Sequence, residues 1–245
     1  MTRNYGVIFK YFKNETDFTQ IHFEVEVAYK GQSQMGQYHF YLNRKKVFIN
    51  QTAPDLTIEQ LAEKAGSCLY PMEIATSIEG PFEEITNYEE IKKRWKAKKN
   101  ELQDYYKGEI AEKIISDLDA IYSNKSRVEM AMNDDLFLTL FFMPIYTRYA
   151  DRIAEYQKEI AFIPFKIPIN YNVIQEVDKF LTESKKQLIT IKGFSEGLIS
   201  DIPDLLLEYK INNETKSVFS IVGSVNLLRE KSKTQKIEIE MYQLD

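Results

Sequence analysis

Ile21-His22-Phe23-Glu24-Val25-Glu26-Val27-Ala28-Tyr29 decides the fold. Ile21, Phe23, Val25, Val27 and Tyr29 fall on one side, and His22, Glu24 and Glu26 on the other. A period of two with one dry and one wet face is the pattern of an antiparallel strand covered on a single side. Upstream, Tyr5, Val7, Phe9 and Tyr11 repeat the pattern, and the polar stretch Lys13-Asn14-Glu15-Thr16 reads as the turn between the two strands. The far end of the chain follows the same plan. Leu205 to Ile211 and Val218 to Leu227 flank Asn212-Asn213-Glu214-Thr215, and Ile237, Ile239 and Met241 then alternate with Glu238, Glu240 and Tyr242. The two turns share turn-forming chemistry, while the strands around them share spacing but not residues, so no duplication is inferred.

Helical signals fill the middle. Thr57 and Gln60 have capping-box spacing before a short helix with Ile58, Leu61, Ala62 and Ala65 on one face and Gly66 at its end. Leu69 to Ile85 reads as a hairpin turning at Glu79-Gly80-Pro81. Asn87 and Glu90 open the longest helix, with Tyr88, Ile91, Trp95, Leu102 and Tyr106 along one side. Gly108 separates it from a helix over 109–122 with Ile110, Ile114, Leu118 and Ile121 in register. A third helix is predicted from Lys125 to Phe142, ending before Pro144. Val173 to Leu181 is ambiguous, since Val173, Ile174, Val177, Phe180 and Leu181 fit helical spacing while Tyr171, Val173 and Val177 half-fit a strand, and Phe194 to Pro203 reads as a loop.

The predicted class is α+β: a large antiparallel, curved sheet built from both termini, with a central insertion of three or four helices packed on one face. A single domain over 1–245 is expected, with N-terminal strands and a short helix in 1–86, the helical insertion in 87–150 and C-terminal strands in 151–245. The layout resembles half-barrel carriers of lipids and other apolar ligands, in architecture alone and with no motif behind it.

Composition narrows the function classes. Net charge is −5, which argues against nucleic acid and anionic membranes as partners. The single cysteine, Cys68, rules out an intramolecular disulfide and reads as a small buried hydrophobe. The longest apolar run, Leu136 to Tyr146, is shorter than the roughly 20 residues a spanning helix needs, so no integral membrane segment is expected. With no secretion signal evident, a cytoplasmic location is expected, and Lys, Ile, Asn and Tyr richness points to a bacterial source.

No catalytic constellation stands out, so the chain reads as non-enzymatic, with no cofactor and no metal. His22 and His39 sit on predicted strands and lack a third ligand at characteristic spacing, so they read as imidazoles on a wet face. Asp201 and Asp204 flank Pro203 in a loop and would need a dry pocket to act as acids. Lys92-Lys93-Arg94-Trp95-Lys96-Ala97-Lys98-Lys99 interleaves basic residues with the only tryptophan, a pattern that can grip a nucleic-acid backbone or a membrane surface. Acidic neighbours on both sides favour a solvated helix whose Trp95 packs on the sheet. Leu136-Phe137-Leu138-Thr139-Leu140-Phe141-Phe142-Met143 is apolar nearly all round, the mark of a central core element. Leu138 and Phe142 are expected in the core. Phe141, Met143, Tyr146 and Trp95 are the candidate ligand- or partner-facing side chains. The leading functional expectation is an accessory, chaperone-like or immunity-type partner of another bacterial protein. The alternative is a carrier or sensor holding an apolar small molecule between sheet and helices.

Overall fold

The computed structural model describes residues 1–14, 16–162, 165–196, 202–228 and 234–244. Three long strands come first: β1 (Thr2–Phe12), β2 (Phe18–Gln32) and β3 (Tyr38–Ile49). Helix α1 (Thr57–Gly66) and a 3-10 turn (Ser67–Leu69) lead to the short strands β4 (Met72–Thr76) and β5 (Phe82–Ile85). Four helices follow: α2 (Tyr88–Tyr105), α3 (Glu109–Tyr122), α4 (Lys125–Asn133) and α5 (Leu136–Phe141). The chain closes with β6 (Ile153–Phe162), β7 (Phe165–Leu181), β8 (Lys186–Ser195), β9 (Leu205–Asn212), β10 (Val218–Leu228) and β11 (Thr234–Leu244).

Among the described residues these strands form one open antiparallel sheet in the order β5-β4-β3-β2-β1-β11-β10-β9-β8-β7-β6. Its centre is the pair of terminal strands. Val7 lies opposite Met241 and Phe9 opposite Ile239, so the two dry faces coincide. Tyr5, Val7, Phe9, Ile237, Ile239 and Met241 are all buried. On the other face Lys10 sits between Glu238 and Glu240, at 3.8 and 2.9 Å. The predicted α+β class, with helices packed against a large antiparallel sheet, is the fold observed.

The sheet curls. Phe40 of β3 packs on Phe142, ring centroids 5.2 Å apart, while Gln175 of β7 donates to the Pro144 carbonyl at 3.3 Å. Those strands are seven strand spacings apart in the sheet, about 33 Å if it were flat. Their partners are two residues apart in the chain, so both arms bend toward α5. Tyr5 and Phe23 reach the same segment through Phe141 and Phe137, and the Tyr209 hydroxyl donates to the Leu140 carbonyl at 2.7 Å.

The β1–β2 and β9–β10 hairpins both turn on an asparagine. The Asn14 side chain accepts from the amides of Thr16 and Asp17, and that of Asn212 accepts from Glu214 and Thr215. Such Asx turns pre-form the reversal from within the chain.

Several local expectations are corrected. The helix expected over 125–142 is two helices, because the Asp135 carboxylate takes the Leu138 amide at 2.9 Å and starts a new turn. Residues 173–181 are strand, held by β6 and β8 on either side. Leu56, not Thr57, caps α1, and no side-chain bond supports it. Asn87 occupies the N-cap position of α2 without a side-chain capping bond; its side chain instead ties the Glu73 amide to the Pro71 carbonyl. In α3 the fully buried face is Ile115 and Tyr122, and Ile110 is 74% exposed. Gly108, at φ +106°, makes the break between α2 and α3, a conformation that favours glycine. The expected loop at Phe194 begins as the end of β8, and its residues 197–201 lie outside the described residues.

Candidate functional site

Aromatic side chains gather where α5 ends. Tyr38, Tyr29, Phe40, Phe142, Phe141 and Tyr5 form a continuous series of ring contacts, each pair 4.9–5.9 Å between centroids. The alternation of β1, β2 and β3 presents four of these rings from one sheet face, and the end of α5 supplies the other two. Along one side of this series runs a cleft of about 500 Å³. Its walls are β1–β3, Thr76 and Ile78 at the end of β4, Gly80, the α5 end with Tyr146, and residues 215–218 of the β9–β10 turn.

The lip is built on a close backbone approach. Gly80 has φ +124°, and a Cβ there would stand 2.5 Å from the Met143 carbonyl oxygen. The neighbouring contacts fix the approach, since the Tyr146 amide donates to the Glu79 carbonyl at 3.1 Å and the Thr147 hydroxyl reaches the Glu79 carboxylate at 3.3 Å. Tyr146 then crosses the cleft, and its hydroxyl donates to the Lys216 carbonyl at 2.7 Å. The residue is 45% exposed, but the surroundings of the hydroxyl are desolvated, which pushes the phenol up to about 12. Burial also raises the Tyr5 phenol, whose hydroxyl donates to the Val218 carbonyl at 2.8 Å. Both phenols are therefore neutral donors at physiological pH.

One end of the cleft is cationic. Arg3 reaches across to the β9–β10 turn, where its Nη2 lies 3.0 Å from Thr215 Oγ1, and its Nη1 lies 2.7 Å from Gln243 Oε1. Arg3 Nε is buried with no hydrogen-bond partner. Lys216 also lines the cleft, with Nζ 3.0 Å from Asn213 Oδ1. No Asp, Glu, His or Cys is among the lining residues, whose polar side chains are those of Arg3, Lys216, Ser217, Thr76, Thr215 and the tyrosines.

The structure separates the four candidate side chains. Phe141 and Tyr146 line the cleft, and Phe142, expected in the core, is both buried and on its wall. Met143 is fully buried under Gly80 and does not face the cleft. Trp95 lies far from it and is buried between helices. It stacks on Tyr122 at 4.5 Å and donates to Asp119 at 2.8 Å, so it packs on α3 rather than on the sheet. The basic run around it is largely engaged. Arg94 donates to the carbonyls of Cys68, Leu69 and Pro71, Lys99 pairs with Asp119, and Lys98 pairs with Glu101. Cys68 is buried, and desolvation raises its thiol above the usual range.

The remaining candidates are scattered. His22 stacks on Phe48, and His39 lines a separate hollow with Lys30 and Glu73. Asp204 accepts from the Ser195 amide and hydroxyl at 3.1 and 2.5 Å and fixes the end of β8, while Asp201 lies outside the described residues. No group of three or more metal-ligating side chains is found among the described residues, and no described helix is long and apolar enough to cross a membrane. Sequence reading did not mark Arg3, Ile78 or Lys216. Each is an ordinary surface residue in its own segment and joins the cleft only through the curl of the sheet.

No family model matches the chain, and no curated protein matches it. A solved structure of lipid–protein interactions in lipovitellin is similar over 100% of this chain, at 10% identity and a TM-score of 0.50. The chain spans a quarter of that protein's matched chain. At this identity the likeness concerns the fold, a large curled sheet with helices against it.

Proposed function

We propose that the chain binds one apolar small molecule in the cleft at the end of α5 and acts as a carrier or sensor for it. The observation that carries this reading is the unbroken series of six aromatic rings beside a half-open cleft of about 500 Å³. Small-molecule sites typically occupy about 300–1,000 Å³ and are lined mainly by apolar and aromatic side chains. The lipovitellin structure adds modest support, since that protein is described through its interactions with lipid. Composition alone favours a protein partner. The geometry gives a small molecule more support, because the apolar surface is concave and framed by a polar rim rather than spread flat.

Titration with the neutral fluorescent probe N-phenyl-1-naphthylamine tests the reading. Saturable binding with one site per chain is expected. Ile78→Asp places a carboxylate on the cleft wall at a side chain that is 58% exposed. It should weaken the probe by roughly tenfold or more, while surface substitutions of this kind shift stability by only about 0.5 kcal/mol. Absence of saturable binding, or binding indifferent to Ile78→Asp, would remove the cleft from consideration.

A further inference from the structure

We infer that the ligand of this cleft is an amphiphile with a single apolar tail and one compact anionic head, the head lying between Arg3 and Lys216. The inference rests on the apolar-ligand reading above and adds its chemistry and its orientation.

Three observations support it. First, the cleft is polarised. Phe40, Phe142 and Ile78 come from β3, the end of α5 and the β4–β5 turn, with Phe40 packed on Phe142, while Arg3 meets Thr215, Lys216 and Ser217 at the β9–β10 turn, its Nη2 3.0 Å from Thr215 Oγ1. Second, the chain carries a net charge of −5, yet the lining residues include two cations and no carboxylate. Glu79 and Glu214 stand nearby without lining it; Glu79 accepts the Thr147 hydroxyl. Third, neither cation has an ion-pair partner among the described residues. Arg3 bonds the neutral acceptors Gln243, Thr215 and the Met1 sulfur, and Lys216 bonds neutral Asn213.

The guanidinium is the sharper clue. Arg3 Nε is buried and makes no hydrogen bond. A buried donor without an acceptor is unfavourable, and a charged one more so. A carboxylate or phosphate head would supply the acceptor, and a planar guanidinium can present two parallel N–H groups to either. Arg94, by contrast, has its Nε bonded to the Cys68 carbonyl and its Nη2 to those of Leu69 and Pro71. The neighbouring hydroxyls do not supply the acceptor. The Tyr5 and Tyr146 hydroxyls are both directed at backbone carbonyls, and burial keeps both phenols neutral. An uncharged apolar molecule would fill the aromatic part and leave Arg3 as it is.

Displacement of the neutral naphthylamine probe from the full chain tests this with three competitors of one tail length: dodecanoate, dodecyl phosphate and dodecanol, each below its micellar concentration. The anionic competitors should displace the probe at roughly 10- to 100-fold lower concentration than dodecanol, the span of a charge-assisted hydrogen bond. Whichever anion is stronger identifies the head. Added salt should weaken the anions and spare dodecanol. Arg3→Gln should bring the three competitors together, Arg3→Lys should keep part of the preference for anions, and Lys216→Gln should reduce it. Thermal melts of the variants show that the fold is retained. Equal displacement by dodecanol and dodecanoate, or an anion preference that survives Arg3→Gln, overturns the anionic head while the apolar-ligand reading stands. Failure of the probe itself to bind overturns both.

Discussion

The two arms of the sheet close on α5 and its exit segment in opposite ways. On the β6–β7 arm, Gln175 is fully buried and completely used. It donates to the Pro144 carbonyl and to the Tyr149 hydroxyl, and its own oxygen accepts from Tyr156 at 3.0 Å. Tyr149 in turn donates to the Ile145 carbonyl at 2.9 Å. On the β1–β3 arm the gap is lined with rings and left half open, and Arg3 keeps a buried donor unpartnered. A buried polar network that is satisfied throughout rigidifies a core and specifies it. The network around Gln175 therefore reads as structure, although on the same arm the Tyr171 hydroxyl of β7 is buried without a partner. The other arm also bends onto α5 but is richer in aromatic side chains and leaves a cleft between them, and the unpartnered buried donor beside that cleft, Arg3 Nε, is a cationic one; that difference locates the candidate site there.

The contrast assumes that both arms belong to one cooperative sheet. Deleting 234–245 tests this most severely, because β11 joins β1 to β10. Ile237, Ile239 and Met241 are each worth about 1.5–3 kcal/mol when buried, comparable in sum to the stability of a whole domain. Circular dichroism should show no cooperative melt. A variant that melts at the original midpoint would mean that the two arms fold independently and that the comparison has no common frame.

The next test sets the arms against each other. Gln175→Leu removes the centre of the closed network and leaves the Tyr156 hydroxyl and the Pro144 carbonyl short of partners. A loss of about 1–3 kcal/mol is expected from urea unfolding. Arg3→Gln in the ligand-free protein loses the bonds to Gln243 and Thr215 but also removes the unpartnered buried Nε, so the two effects offset and stability should change by only about 0.5 kcal/mol. A larger loss from Arg3→Gln than from Gln175→Leu would reverse the assignment of structural and functional arms.

Asp135 gives a smaller effect with a pH signature. It starts α5, the helix on which both arms close. Burial raises its carboxyl above the usual range, and the Leu138 amide and Arg44 only partly oppose this. A carboxyl whose folded value lies above its unfolded value binds its proton more tightly in the native state. Its contribution to stability is thus largest in acid and falls as pH rises from the ordinary carboxylate value through the raised one. Asp135→Asn keeps a capping side chain without the charge and should match or exceed the parent near neutral pH. Asp135→Ala should lose about 1 kcal/mol of cap. Stability of parent minus Asp135→Asn, followed against pH, should slope downward. An upward slope would show the carboxylate to be favoured in the folded state.

The strands that sequence reading found are those with one dry face: β1, β2 and β11 alternate cleanly because the helices cover a single side. β7 was ambiguous because its pattern breaks down toward its end, where Phe180 is 70% and Leu181 43% exposed. The break between α4 and α5 rests on the single carboxylate of Asp135, which follows Asn133-Asp134 and precedes an apolar run, and helical spacing over 125–142 does not register it. Local apolar character was enough to mark Phe141 and Tyr146, which line the cleft. The same character misplaced Met143, which is covered by a glycine 63 positions upstream. Trp95 was read with the basic residues beside it, whereas its partners Asp119 and Tyr122 belong to the next helix. Arg3, Ile78 and Lys216 carry no local signal, since each meets the others only after the sheet has curled.

The order of the strands has a consequence for how the protein is made. β1 sits in the middle of the sheet, and its partner on one side, β11, is the last strand in the sequence. At about 5–20 residues per second, a ribosome needs at least ten seconds to pass from Phe12 to Thr234. For that interval one edge of β1 carries unpaired amides and carbonyls beside Tyr5, Val7 and Phe9. An exposed, apolar strand edge of this kind is a template for pairing with other chains. Nascent chains on neighbouring ribosomes would meet at this edge, so yield of soluble protein should depend on expression rate well before it depends on the stability of the finished fold.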